Sequence, residues 1–196
     1  MENALKRALA RAVAFLEKNG YRYAVIGGIA TQFWGSPRLT LDLDIKVLVP
    51  ETDYPAVRAA IRSEFPERAR PQTPLNPLIV DVIVGTIVVD FLLAVPGYEE
   101  KIIERAARRD VDGFQAWVCS AEDLIIQKVI AHRPKDWQDV ESVIAERGTE
   151  LDTAYIQKWL KEFVEVLEKP ELIEQYAAIL KRAKKFQRRT ENKGAT

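Results

Sequence analysis

Leu5, Leu9, Val13 and Leu16 recur every three or four residues among charged neighbours, so residues 2–19 predict an amphipathic helix closed by Asn19-Gly20. The period then shortens. Tyr23 to Ile26 is a compact apolar strand running into Gly27-Gly28, and Ile29 to Trp34 reads as a short helix broken by Gly35-Ser36-Pro37. Leu41 to Val49 alternates with period two and predicts a second strand, stopped by Pro50. A helix over 52–65 ends before Pro66, and 66–77, with four prolines and no period, predicts a loop. Two apolar runs, Leu78–Val84 and Ile87–Ala94, flank Gly85-Thr86 and predict a hairpin. A helix over 98–108 and a strand over 114–118 follow. Ser120, three residues before Asp123, offers an N-cap for a helix over 121–132. Beyond it the pattern is helical throughout: 136–147, 152–168, and 171–189 opened by Pro170.

This order of elements predicts an α/β (α+β) fold: a small mixed sheet with flanking helices in residues 1–120, then a C-terminal helical extension over 121–196. With 196 residues, 47% hydrophobic and 30% charged, the chain has the balance of a globular domain able to bury a real core. Its net charge is zero, so no global field points to nucleic acid or membrane. The zero conceals an asymmetry, because from Lys181 onward seven Lys and Arg residues face Glu191 alone. The tail carries +6 and the remainder −6. Such a tail is a solvated helix face or a track for an RNA backbone. A lone Cys119 and a lone His132 exclude an internal disulfide and a Cys/His zinc site. No basic flank and apolar run open the chain, and no apolar stretch approaches the roughly 20 residues that span a bilayer. A cytoplasmic protein with no membrane partner is expected.

The chemistry centres on Asp42 and Asp44. Strand alternation projects both carboxylates from one face, where they repel unless a cation lies between them. Magnesium suits such a pair, holding one or two carboxylates together with substrate phosphates; a merely solvated polar face has the same spacing. Gly27-Gly28, between strand and helix, lets backbone N–H groups approach a phosphate, as would a tight structural turn. Arg38 and Thr40 lead into the aspartates, Arg38 either to pair with phosphate or to brace the strand. Asp90 interrupts an apolar run, where a carboxylate is costly unless paired or metal-bound, and is the natural third ligand; Asp81 in the partner strand is the runner-up. Lys128 shares the inward stripe of its helix and either snorkels or meets an anion. Asp136 caps its helix or serves function, and Asp139, one turn on, is placed to hold Lys128 or Arg133. Trp159, Phe163 and Phe186 fall at core spacing and are read as core, with a nucleobase platform as the alternative.

Together, Gly27-Gly28 and Trp34-Gly35-Ser36-Pro37-Arg38-Leu39-Thr40-Leu41-Asp42-Leu43-Asp44 resemble the signature of the polymerase-beta-like nucleotidyltransferase superfamily. They are most similar to its branch of AbiEii-type and MenT-type toxins and their relatives. Val89-Asp90-Phe91-Leu92-Leu93 is similar to the family's third-carboxylate strand. Glu122 to Lys128, with Arg133 to Asp139, is similar to its downstream block. The resemblance covers about residues 20–147. It implies a nucleotidyltransferase fold and transfer of a nucleoside monophosphate from an NTP to an acceptor hydroxyl, with pyrophosphate leaving. Asp42, Asp44 and Asp90 would be catalytic and hold two Mg2+ ions, with Mn2+ as a substitute. Gly27, Gly28, Arg38, Thr40, Lys128 and Asp136 would bind nucleotide. It further implies a tRNA or other RNA acceptor and a cognate antitoxin partner, with the chain a monomer. Proteins and small molecules stay open as acceptors, and so does a catalytically silent nucleotide- or partner-binding module of the same fold.

Overall fold

The computed structural model describes residues 3–66 and 76–194, with side chains as far as Ala183. Most of the expected 66–77 loop, and the side chains of the basic tail from Lys184 onward, lie outside the described residues. The chain divides into two compact units, Met1–Ala30 with Arg38–Ser120, and Thr31–Pro37 with Ala121–Thr196.

The first unit runs α1 (Asn3–Lys18), β1 (Tyr23–Val25), the start of α2 (Gly27–Trp34), β2 (Asp42–Leu48), α3 (Tyr54–Glu64), β3 (Ile79–Val84), β4 (Ile87–Ala94), α4 (Tyr98–Glu104), β5 (Ala107–Asp110) and β6 (Gln115–Val118). Its six strands form one mixed sheet in the order β3-β4-β2-β1-β6-β5. β2 lies antiparallel to β1 and parallel to β4, β1 parallel to β6, and the β3–β4 hairpin is formed as its sequence predicts. Alternation divides the sheet into two faces. Leu43, Ile45 and Val47 of β2, Val80, Val82 and Val84 of β3, and Val89, Phe91 and Leu93 of β4 are all buried on one of them. α1 packs against β2, β3 and β4, and α3 against β3. Leu5, Leu9, Val13 and Leu16, the predicted stripe, are the buried face of α1. Phe65, just past α3, meets Phe15 edge-on at 5.3 Å and stacks on Phe91 at 5.9 Å. Each such side chain contributes about 1.5–3 kcal/mol through burial.

Two expectations are corrected here. The helix expected over 98–108 ends at Glu104, and Ala107–Asp110 pairs with β6 as strand β5. The reversal lies at Asp112-Gly113, with φ of 56° and 97°. Two consecutive positive φ values make the turn whose twist matches a hairpin, and Asp-Gly is the dipeptide that tolerates it. α2 also begins earlier than expected, with Gly27-Gly28 as its first residues.

The second unit is built from α5 (Ala121–Ala131), α6 (Pro134–Arg147), α7 (Thr153–Leu167) and α8 (Glu171–Gly194), together with residues 31–37. α5 packs against α6, α7 and α8, and its Leu124, Ile125, Ile126 and Val129 are buried on nearly every side. Asp152 caps α7 by accepting the Tyr155 N–H at 2.9 Å. Residues 31–37 are pinned to α6. Ser142 accepts from the Ser36 N–H, while Arg147 donates to the Phe33 carbonyl at 2.9 Å and lies 5.4 Å over the Trp34 ring. No described helix is long and apolar enough to cross a membrane.

Candidate functional site

The face of the sheet opposite the apolar core carries the acids. Asp42, Asp44 and Lys46 alternate with the buried residues of β2, so all three project from this face. The parallel register sets Asp44 directly beside Asp90 of β4, and the hairpin register sets Asp90 beside Asp81 of β3. Three carboxylates therefore stand in a row across adjacent strands, whose axes are about 4.8 Å apart. Asp42 extends the row along β2, opposite Val88, and is exposed where the others are half-buried. One carboxylate oxygen of Asp81 and one of Asp90 are out of reach of solvent. Among the described residues no three His, Cys, Asp or Glu side chains form a preformed metal cage.

The glycine pair is held against this row by contact as well as by sequence order. The Ile26 N–H donates to the Asp44 carbonyl at 3.0 Å, carrying the β1–β2 pairing up to the turn. Gly27 has φ of 61°, and a Cβ there would overlap Oδ2 of Asp44 and lie 2.8 Å from its Cγ. A Cβ on Gly28 would overlap the Thr40 hydroxyl and lie 2.9 Å from its Cβ. Both glycines are thus demanded by the side chains they touch, which brings Gly27, Gly28, Thr40, Asp44 and Asp90 to one place in the first unit. Gly85 is a natural control: its φ is 67°, and a Cβ added to it would meet nothing within 4 Å. Gly85→Ala is expected to cost about 1 kcal/mol of backbone strain, and Gly27→Ala clearly more, within the roughly 1–3 kcal/mol range of a strained site. Urea unfolding of both variants measures the difference. Asp44→Ala combined with Gly27→Ala should recover most of the excess; equal costs at the two glycines would mean that Asp44 does not crowd the turn.

Arg38 is half-buried, and its guanidinium reaches the Leu39 carbonyl at 3.3 Å. Lys46 is a residue that sequence reasoning missed. It is only 4% exposed and forms an ion pair with Glu99 of α4, whose other oxygen accepts the Val95 N–H at 2.9 Å. The signal was present in Asp42-Leu43-Asp44-Ile45-Lys46, whose alternation puts a cation on the acid face two residues beyond Asp44.

Lys128 and Asp136 lie in the second unit, where they hold each other. The Lys128 ammonium meets Asp136 at 3.1 Å and Asp139 at 2.7 Å, with all three side chains buried. Arg133 adds a two-pronged bond to Asp136, at 2.5 Å from Nε and 3.2 Å from a terminal nitrogen. Burial pushes the Asp136 carboxyl up, but Arg133 and Lys128 outweigh it and leave the group below the ordinary carboxylate range. The expectation that Asp139 holds Lys128 is met. Asp123, expected near an N-cap, is fully buried and accepts the Tyr155 hydroxyl at 2.8 Å.

No curated protein matches the sequence. Among solved structures, the chain is similar to an antigenic nucleotidyltransferase-like protein from Paracoccidioides brasiliensis, with 19% identity, 90% of this chain and 94% of that one covered, and a TM-score of 0.56. It is similar also to the antibiotic-resistance factor ANT(2'')-Ia, with 18% identity, 91% and 96% coverage and a TM-score of 0.52. At these identities the likeness is one of fold, and the fold is that of a nucleotidyltransferase. A family model described as nucleotidyl transferase of unknown function (DUF2204) matches residues 5–175. With the glycine turn, the aspartate strand and its registered neighbour all inside that span, the chain belongs to this nucleotidyl transferase family.

Proposed function

We propose that the first unit moves a nucleoside monophosphate from an NTP to an acceptor hydroxyl, using Asp42, Asp44 and Asp90 over the Gly27-Gly28 turn. The observation that carries this is the convergence of Gly27, Gly28, Thr40 and Asp44 in direct contact, with Asp90 in register beside Asp44. The first N–H groups of α2 open next to Asp44, where the helix terminus favours phosphate. Thr40 and Arg38 lie on the strand approach and serve the same phosphates. The three aspartates offer an all-oxygen donor set that fits Mg2+, or Mn2+ in its place, completed by phosphate oxygens of the substrate. Metal ions held there would supply charge neutralisation on the entering and leaving oxygens of an in-line displacement. The remaining demand on the chain is positioning. Lys128 and Asp136 join the proposal through the family block; a phosphate bound by Lys128 would compete with two carboxylates already at its ammonium.

For the acceptor we propose RNA. The resemblance to the AbiEii-type and MenT-type toxins and the +6 tail beginning at Lys181 support it. A cognate antitoxin and a cytoplasmic setting accompany that reading. The protein incubated with each labelled NTP in turn, Mg2+ and total RNA should make the label acid-precipitable and ribonuclease-sensitive. No transfer with any NTP would leave only a binding module of this fold, and ribonuclease-resistant label would move the acceptor to protein. Within the same assay, Asp90→Ala should lower transfer by about 10³-fold, the scale of losing a preorganised charge at the reacting group. Asp81→Ala should stay within about tenfold. The reverse ranking would assign the third carboxylate to Asp81.

A further inference from the structure

A second concave site lies in the first unit at the opposite end of β1 from the glycine turn. Tyr23 begins the strand and Gly27 follows its end, four extended residues or about 13 Å away. The cleft there has a volume of about 450 Å³, within the range of small-molecule sites, and its walls include Glu17, Tyr21, Arg22, Tyr23, Arg108 and Trp117. These residues are organised before any ligand arrives. The Arg108 guanidinium lies 5.6 Å over the Trp117 ring and donates to Glu17 at 2.9 Å. The Tyr23 hydroxyl donates to the same carboxylate at 3.3 Å, and burial, reinforced by Glu17, pushes its pKa up so that it stays a donor.

The unused bonding capacity of the cleft is of one kind. Glu17 is occupied by Arg108 and Tyr23, and Glu104, also in the wall, is paired with Lys101 at 2.9 Å. The acids are satisfied from within. Arg22 makes no side-chain hydrogen bond among the described residues and has the exposed Glu104 as a charged neighbour, and Arg108 uses only one of its five N–H donors there. Trp117 is 38% exposed beside them. Surplus guanidinium donors next to a partly exposed indole match a planar ring that carries an acceptor-rich anion. Planar forks of this kind fit phosphate two-pronged.

We propose that this cleft binds a nucleotide unit, its base on Trp117 and its phosphate between Arg22 and Arg108. The unit is either a free mononucleotide or one residue of an RNA strand. The site uses no metal and none of the aspartates of the transfer site, so it can be read with the latter silenced. The test is calorimetric titration in EDTA with AMP and with a 5′-phosphorylated tetra-adenylate, on the full chain. Wild type and Asp42→Asn/Asp44→Asn should bind AMP alike. Trp117→Ala should weaken binding about tenfold, the scale of one lost base–aromatic stack, while Trp117→Phe should retain it. Arg22→Gln/Arg108→Gln should weaken binding at least as much. Comparable affinity for AMP and the tetranucleotide identifies a free nucleotide, and tenfold tighter binding of the tetranucleotide identifies an RNA strand; both support the site. The proposal is overturned if neither probe binds in EDTA, if Trp117→Ala binds as wild type does, or if binding disappears in Asp42→Asn/Asp44→Asn. Such a failure would leave the metal-dependent transfer reading untouched.

Discussion

Asp44→Asn should give a folded protein that no longer holds a magnesium–nucleotide complex and transfers at least about 10³-fold more slowly. Asn keeps the shape that fills the space over Gly27, so the turn and the β1–β2 pairing survive. The negative charge is lost at the centre of the row, since Asp44 is two residues from Asp42 on one strand and directly beside Asp90 on the next. Like charges on neighbouring strands are unfavourable by about 0.2–1 kcal/mol per pair. Without metal, Asn at this position should therefore leave the melting temperature unchanged or slightly raised. With MgATP, wild type should be stabilised and the variant should not, because a ligand stabilises only what it binds. Asp42→Asn should act in the same direction. Calorimetric titration with MgATP and thermal unfolding with and without it measure both halves. Unchanged nucleotide affinity in both variants would remove the metal-site reading.

Local pattern supplied most residues of this candidate site and none of its assembly. Alternation put Asp42 and Asp44 on one face, and strand–Gly-Gly–helix placed the turn. Both signals are confined to a few neighbouring residues, which is why they were legible. That Asp44 faces Asp90 is a matter of parallel register between distant strands, and register is set by the hydrophobic faces of the whole sheet. The sequence marked Asp90 as an anomaly in an apolar run, but could not place it against Asp81, and the structure sets the two side by side. The reason for two glycines was likewise hidden, because it lies in contacts with Thr40 and Asp44 that only the fold creates. β5 was missed although Asp112-Gly113 announced it; the polar run Arg108-Arg109-Asp110 has no apolar period to betray an edge strand, and charges there are what an edge carries. Lys46 escaped notice because a lysine in a strand is read as solvated, whereas here Glu99 balances its burial.

Lys128→Met should cost about 3–5 kcal/mol at pH 7, the scale of removing one partner from a buried ion pair. Its ammonium is the cation between Asp136 and Asp139, which are 0% and 3% exposed. Methionine fills the space but leaves two buried carboxylates close together. Asp136 retains Arg133, and Asp139 loses its ion pair with Lys128. Acid should then act in opposite directions on the two proteins. In wild type the Asp136 carboxyl is held below its ordinary value, so its contribution is fully present above the unfolded-state pKa near 3.8. That contribution is lost as pH falls through the still lower folded value. In the variant, crowding raises the affinity of the carboxylates for a proton in the folded state, so acidification from pH 7 stabilises it until that proton is bound. The difference between the two proteins should therefore be largest at pH 7 and shrink toward pH 5. Lys128→Met/Asp139→Leu, which exchanges an ion pair for apolar groups, should recover at least about half of the loss. Urea unfolding across this pH range measures all three proteins. A cost under about 1 kcal/mol, independent of pH, would mean that the trio behaves like a surface ion pair and that Lys128 is available to an outside anion.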